Sequence, residues 1–361
     1  MLFRSFPSEH SINTKNPALW SLVKNTRLHA GYRFHQNLVT KGENQLLQNN
    51  GQVDGVFSIF AIDSAMGLAA SFGIYPYSSV NYLISTPIEM VYQDLELKGF
   101  NIYQGSGGIS TAYIGGSTRI LDELYFGASI YANFGLINSL TETHLENYYT
   151  GKSNRDSKLS GWGLKAGIYY SPIKDLSIGA FFDKQQSMTS ECLMTFYNNF
   201  IKDTSFSKSE SSFSIPDQLG FGVSYLTGKF QFGADIKFQD FSNFTFNAGP
   251  NTKFKSSTQY SLGVSRIGNP SYYAPYLDKV TYNFGIGYND LYYQIAGNNL
   301  TEYFASFGMK MPIVGTAFID AAFVLGTRGT NDPNLVKEYF GRMIIDISIG
   351  ETWFKPFRRE Y

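Results

Sequence analysis

Along most of this 361-residue chain every second residue is apolar, a period that only β-strands with two unlike faces satisfy. From Phe230 to Phe238 one face reads Phe230, Phe232, Ala234, Ile236 and Phe238, and the other Gln231, Gly233, Asp235 and Lys237. Val280 to Tyr288, Leu219 to Tyr225, Tyr260 to Val264 and Leu124 to Phe134 divide in the same way. The polar set is rich in glycine, tyrosine and charge, the apolar set in Phe, Ile and Leu. That contrast suits an apolar belt against lipid around a polar lumen. The competing reading is a soluble β-sandwich, which turns the same apolar face into a dry interior.

Composition narrows the choice. Charged residues make up 16% of the chain, against about 25% in ordinary globular domains. Aromatics reach 17%. Lys and Arg number 29, as do Asp and Glu, so no net charge steers the chain toward nucleic acid. No run of about 18 apolar residues predicts a membrane helix, but a barrel strand needs only about 9–11 residues.

The alternation predicts an all-β fold, a transmembrane antiparallel β-barrel of about fourteen strands. They fall near 26–40, 51–62, 64–86, 105–117, 122–138, 160–171, 174–187, 216–226, 229–242, 257–268, 277–288, 300–312, 315–327 and 339–351. Short linkers alternate with long ones at 41–50, 87–104, 139–159, 188–215, 243–256, 289–299 and 328–338. Short periplasmic turns, long outer loops and an even strand number match a bacterial outer-membrane barrel. Pro76 tests the count: a turn there makes the number odd, a kink within strand 64–86 keeps it even, and the kink is preferred. Residues 1–25 lack alternation and are expected to form an N-terminal periplasmic hatch, with 26–361 as the barrel. Met1 to Pro7 does not read as a signal peptide, so the start is expected to be a mature or truncated one.

Catalytic motifs and metal-ligand spacings are not found, and no cofactor is expected. Cys192 stands alone. His29 and His35 share a strand face but lie too far apart to chelate one ion, and His10 and His144 are isolated. Lys165, Asp183, Asp235, Lys237, Lys310, Asp320, Arg342 and Asp346 fall on the polar face. A Lys or Arg on the lipid side would cost about 2–4 kcal/mol at mid-membrane, so these charges are assigned to the lumen. The plain reading is a solvated lumen with ion pairs; the sharper one has Arg342 or Lys165 meet a substrate carboxylate. Two outer loops hold apolar clusters: Leu193, Met194, Phe196, Tyr197 and Phe200 with Ile201 in one, Leu145, Tyr148 and Tyr149 in the other. They predict a groove for an apolar ligand, or self-packed loops.

Four stretches carry a family resemblance. They are Asn16-Pro17-Ala18; Pro76-Tyr77-Ser78-Ser79-Val80; Ile215-Pro216-Asp217-Gln218-Leu219-Gly220 leading into Gly233 to Phe241; and Leu325 to Thr330 with Asn334 to Glu338 and Trp353-Phe354. From about residue 12 onward the chain resembles the FadL-like outer-membrane transporters of long-chain fatty acids and other hydrophobic compounds, in particular a Bacteroidetes-type branch. The resemblance implies fourteen strands, a hatch in the lumen, and a kinked third strand that opens a lateral exit to lipid. It also implies an entry groove from the loops after strands five and seven, here 139–159 and 188–215. The expected function is passive transport of a hydrophobic small molecule by a monomer in contact with outer-membrane lipid. A protein-secretion accessory or shuttle is the alternative. An outer-membrane hydrolase would need an adjacent Ser–His pair that the sequence does not single out.

Overall fold

The computed structural model describes residues 7–92, 95–185, 187–198, 205–244 and 252–353. The strands are β1 (Thr26–Lys41), β2 (Asn44–Asp63), β3 (Leu68–Tyr92), β4 (Leu95–Leu121), β5 (Leu124–Leu145), β6 (Gly151–Ile173), β7 (Leu176–Gln185), β8 (Ser187–Asn198) and β9 (Ser205–Ser214). They continue as β10 (Gln218–Thr227), β11 (Phe230–Asp240), β12 (Thr252–Phe254), β13 (Ser256–Arg266), β14 (Thr281–Ile295), β15 (Asn298–Pro312), β16 (Phe318–Gly329) and β17 (Lys337–Glu351). All ladders are antiparallel, and β1 pairs with both β2 and β17, so the sheet closes on itself. The wall has fourteen strands. β8 prolongs β7 along β6, β9 returns beside it to β10, and β12 prolongs β13 along β14.

The ladders bring the apolar faces into register as a belt. One row runs Tyr225, Phe232, Val264, Phe284, Phe307, Phe323, Met343 and Phe34 across neighbouring strands. A second row runs Tyr260, Tyr288, Tyr303, Thr327 and Tyr339. Phe232, Leu262, Phe284, Ile286 and Leu325 are exposed on this outer face, while Asn133, Asp183, Asp235, Gln239 and Ser261 are buried on the inner one. Every backbone donor and acceptor within such a wall is answered by a neighbour, which is what allows strands to cross lipid.

The strands run far past the belt. β4 has 27 residues, about 90 Å at roughly 3.3 Å per residue, against an apolar band of about 25 Å. Most of the long loops predicted at 41–50, 87–104 and 289–299 are therefore strand. β1 turns into β2 at Gly42-Glu43, and β14 into β15 at Ala296-Gly297, both with positive φ. Loops 139–159 and 188–215 are likewise corrected to hairpin strands, β5–β6 and β8–β9. Above the belt both faces meet water, so the alternation that marks a strand disappears while the ladder persists.

The two ends of the barrel differ. At one end, here the near end, lie the start of β1, the end of β17 and turns such as Asp122-Glu123 and Lys174-Asp175. Its longest connection, 267–280, contains the short helix α1 (Tyr276–Lys279). The far end carries the extended hairpins.

Candidate functional site: the lumen and the split beside β3

The near half of the lumen is filled by residues 7–25, which precede β1. Asn16 caps a 3-10 turn, Pro17–Leu22, by accepting from the Ala18 amide at 3.1 Å. Its own amide donates to the Ile168 carbonyl on β6 at 2.9 Å. This close approach requires glycine in the wall. A Cβ on Gly127 would lie 2.4 Å from the Pro17 carbonyl carbon, and one on Gly167 2.1 Å from Asn16 Oδ1. Gly127 and Gly167 are cross-strand partners, so together they form a seat for Asn16-Pro17-Ala18. Trp20 is buried, donates to the Asn13 carbonyl at 2.8 Å and stacks on Tyr113.

Side chains of the wall hold the same segment. Lys165 pairs with Asp183 at 3.1 Å and reaches the Thr14 carbonyl at 3.4 Å, while the Tyr131 hydroxyl donates to Asp183 at 2.5 Å. Lys310 donates to Ser11 Oγ at 2.5 Å and lies 4.0 Å from Asp320. Arg27 donates to His10 Nδ1 at 2.9 Å, to Ser348 Oγ at 3.1 Å and to the Thr316 carbonyl at 3.1 Å. Burial, with Arg27 and Lys310 nearby, pushes the His10 imidazole down to about 4. A Ser–His pair does exist here, Ser348 with His29 at 2.9 Å. Both residues are buried and Arg27 already donates to the same hydroxyl, so the oxygen is not presented to a substrate.

The far half is lined differently. Ile109, Leu159, Met188 and Ile215 form an inner apolar cluster, with Ile137 and Phe213 against it. Above it a chain of ring contacts links Phe213 to Phe244, Phe244 to Phe241 and Phe254, and both of these to Tyr292. Sequence reasoning missed this aromatic group. Its one local signal is the pair Phe241 and Phe244 just past β11, without strand periodicity.

The remaining predicted charges divide into two groups. Arg342 stacks on Phe340 with 4.5 Å to the ring centroid. Arg328 sits over the same ring and bridges Glu302 and Glu338. Asp346 lies beside Gly31 and Arg33 pairs with Asp54. Asp235 and Lys237 stand inward on β11, opposite Gly222 and Gly220. The structure does not gather the predicted outer-loop residues into one groove. On β8, Leu193 and Tyr197 take one face, and Met194 and Phe196 the other. Tyr148 and Tyr149 are exposed in the β5–β6 turn, and Phe200 with Ile201 lies outside the described residues.

Beside β3 the wall divides. β2 and β3 pair only from Asp63–Leu68 to Val56–Ile74. Beyond that, β2 pairs with β1 alone and β3 with β4 alone, among the described residues. Pro76 stands at the fork, inside β3, and the ladder with β4 shifts register between Pro76 and Ser78. The extra residue, Tyr77, turns across the lumen and accepts from Gln185 Nε2 of β7 at 3.0 Å. Just below, Phe57, Tyr75 and Tyr113 form an aromatic group that reaches Trp20.

A closed fourteen-strand antiparallel barrel with an interior N-terminal segment and a divided wall is the FadL-like barrel fold. The chain is similar to a Pseudomonas aeruginosa FadL homologue, at 11% identity and TM-score 0.62, with 95% of this chain and 94% of that one covered. It is also similar to the Pseudomonas putida toluene transporter TodX, at 14% identity and TM-score 0.61, with 97% and 96% covered. The Ralstonia pickettii toluene transporter TbuX matches at 14% identity and TM-score 0.58, with 92% of each chain covered. No curated protein sequence matches it. The BamG family profile matches residues 4–360, and the chain belongs to that family.

Proposed function

We propose that this chain is an outer-membrane channel that admits a hydrophobic small molecule at the far mouth and releases it sideways into lipid at the Pro76 fork. The near end would face the periplasm, and residues 7–25 would act as a hatch that blocks straight passage. The division of β2 from β3 carries the reading, because the wall opens where the aromatic lining of the lumen ends. An apolar solute gains by moving from water to aromatic walls and again by moving into acyl chains, so no energy source is required. The FadL and toluene-transporter folds support an apolar cargo. Within that class, a fatty-acid-like solute would place its carboxylate near the Arg342–Phe340 stack. Leu193, Met194, Phe196 and Tyr197, with Tyr148 and Tyr149, would contribute to capture at the far rim.

Uptake of radiolabelled oleate and toluene into cells carrying Pro76→Val tests this. Valine supplies the amide proline lacks and favours continued pairing, worth about 1 kcal/mol per hydrogen bond. Uptake should fall several-fold with surface expression unchanged. Undiminished uptake of both solutes would sink lateral release.

A second reading, a barrel that assists protein traffic, draws on the near-end connection. Tyr272 and Tyr273 are 85% and 92% exposed beside Leu277. Large aromatics held in water suit a protein partner. Co-purification of a periplasmic protein at fixed stoichiometry, lost in Tyr272→Ser with Tyr273→Ser, would favour it.

A further inference from the structure

At the level of the fork one polar contact crosses the lumen, from Gln185 on β7 to the bulged Tyr77 on β3. The amide of Gln185 is answered at one end only. Its Nε2 donates to the Tyr77 hydroxyl at 3.0 Å, while its Oε1 is buried with no hydrogen-bond partner among the described residues. Turned over, the amide would accept from Tyr77 and leave Nε2 alone instead. Gln185 is 9% exposed, so either orientation hides an unanswered polar atom. Such an atom is costly and points to a partner that completes it. Tyr77, the other half of the contact, is 41% exposed.

The surroundings select the partner's chemistry. Two residues from Gln185 on the same face, Asp183 pairs with Lys165 at 3.1 Å and accepts from the Tyr131 hydroxyl at 2.5 Å. The tip of Tyr131 lies over Gly163, the cross-strand neighbour of Gln185, where a Cβ would meet the Tyr131 hydroxyl at 2.4 Å. This group is neutral as a whole and its members satisfy one another, so it does not call for an ion. On the other side of Tyr77 stand the rings of Tyr75, Phe57 and Tyr113. A carboxylate only accepts, and it would lose its hydration beside an ion pair that is already complete. A hydroxyl both donates and accepts, so it answers the amide in either orientation. We propose that Tyr77 and Gln185 form a binding site for the hydroxyl of a neutral apolar alcohol or phenol, whose hydrocarbon body lies against Tyr75 and Phe57. The site names a cargo class for the channel. It rests on cargo reaching the fork through the lumen, and not on lateral release.

Equilibrium binding of p-cresol, p-xylene and p-toluate to the full chain in lipid nanodiscs tests this, corrected for partition into empty nanodiscs. p-Cresol and p-xylene share a shape and differ by a hydroxyl in place of a methyl group. p-Cresol should bind about tenfold tighter, since each neutral hydrogen bond is worth roughly fivefold. Tyr77→Phe and Gln185→Leu should each reduce that preference about threefold or more, and together they should abolish it. Binding of p-xylene should stay within about twofold in all three variants, which shows that the apolar part of the site is intact. p-Toluate should bind no better than p-xylene. The proposal is overturned if p-cresol has no preference, as when water alone completes the amide. It is also overturned if the preference survives both substitutions, or if p-toluate binds best, which would make this an anion site of Lys165. A preference for p-cresol with uptake undiminished in Pro76→Val would sink lateral release and leave this site standing. Reduced uptake in Pro76→Val with no preference would do the reverse.

Discussion

The seam between β17 and β1 and the seam between β2 and β3 end differently, although the second is built from the longer strands. The first joins the two ends of the chain and pairs without interruption from Thr26–Glu351 to Thr40–Lys337. The second joins neighbours across the turn at 64–67, and its ladder stops at Val56–Ile74. Loop-closure entropy predicts the reverse, since the long closure is the harder one to make. The opening is therefore written locally. Pro76 withholds an amide, Tyr77 adds a bulged residue, and facing them Gly55 has φ 146, a conformation that side chains rarely adopt. The closed seam, in turn, is held by polar side chains that bind it to the N-terminal segment.

The largest effect should come from cutting that hold. Arg27 is almost fully buried and donates to Ser348, Thr316 and His10. Arg27→Ala should lower stability by on the order of 3 kcal/mol or more, as bonds to a charged group are lost and buried acceptors stay behind. Urea unfolding of the refolded barrel in liposomes would measure it. An unchanged midpoint would mean that the seam closes without this network.

Next comes the glycine seat. Gly127→Leu drives side-chain atoms into Pro17 and Ala18, a clash worth about 1–3 kcal/mol if the segment stays docked. The expected response is release of residues 7–25. It should appear as new protease cleavage at Lys15 and higher conductance in planar bilayers, with the β2–β3 fork unaffected. Continued protection of Lys15 would show that the seat is not what holds the turn.

How far the sequence reads depends on depth in the membrane. Within the belt, Phe230 to Phe238 and Val280 to Tyr288 had only one way to satisfy both lipid and lumen, and their strands were legible to within a few residues. Above the belt that constraint lapses. Asn44 to Asn50 reads as a polar loop yet forms part of a long hairpin, because pairing there depends on β1 and not on a buried face. The interior charges were legible as a set, since lipid excludes them, but their partners were not. Lys165 with Asp183 is a contact between neighbouring strands, whereas Lys310 with Ser11 spans nearly the whole chain. Pro76 was legible as an irregularity in β3, while the loss of pairing with β2 required the tertiary ladder. The far aromatic group was missed because rings from β9, the segment just past β11, β12 and β14 meet only in the folded barrel.

The smallest expected effect separates the two seams by pH. His10 lies against Phe318 and accepts from Arg27, with Lys310 close by, Glu9 next to it in sequence and Lys24 farther along its own segment. Its imidazole titrates near 4 when docked, against about 6.5 when free. Between those values the released segment binds a proton that the docked one does not, so docking strengthens as pH rises and weakens as pH falls through that window. Above about 6.5 the contribution is complete. Trp20 can report this alone once Trp162 and Trp353 are replaced by Phe, since the chain has three tryptophans. Its emission should shift to the red as pH falls from about 6.5 toward 4, and His10→Gln should flatten the response. Protection of the amides along the β2–β3 edges, corrected for the intrinsic pH dependence of exchange, should not follow it, because no histidine stands on either strand. A pH shift at the fork with Trp20 silent would place the sensitive contact on the wrong seam and remove the latch from the N-terminal segment.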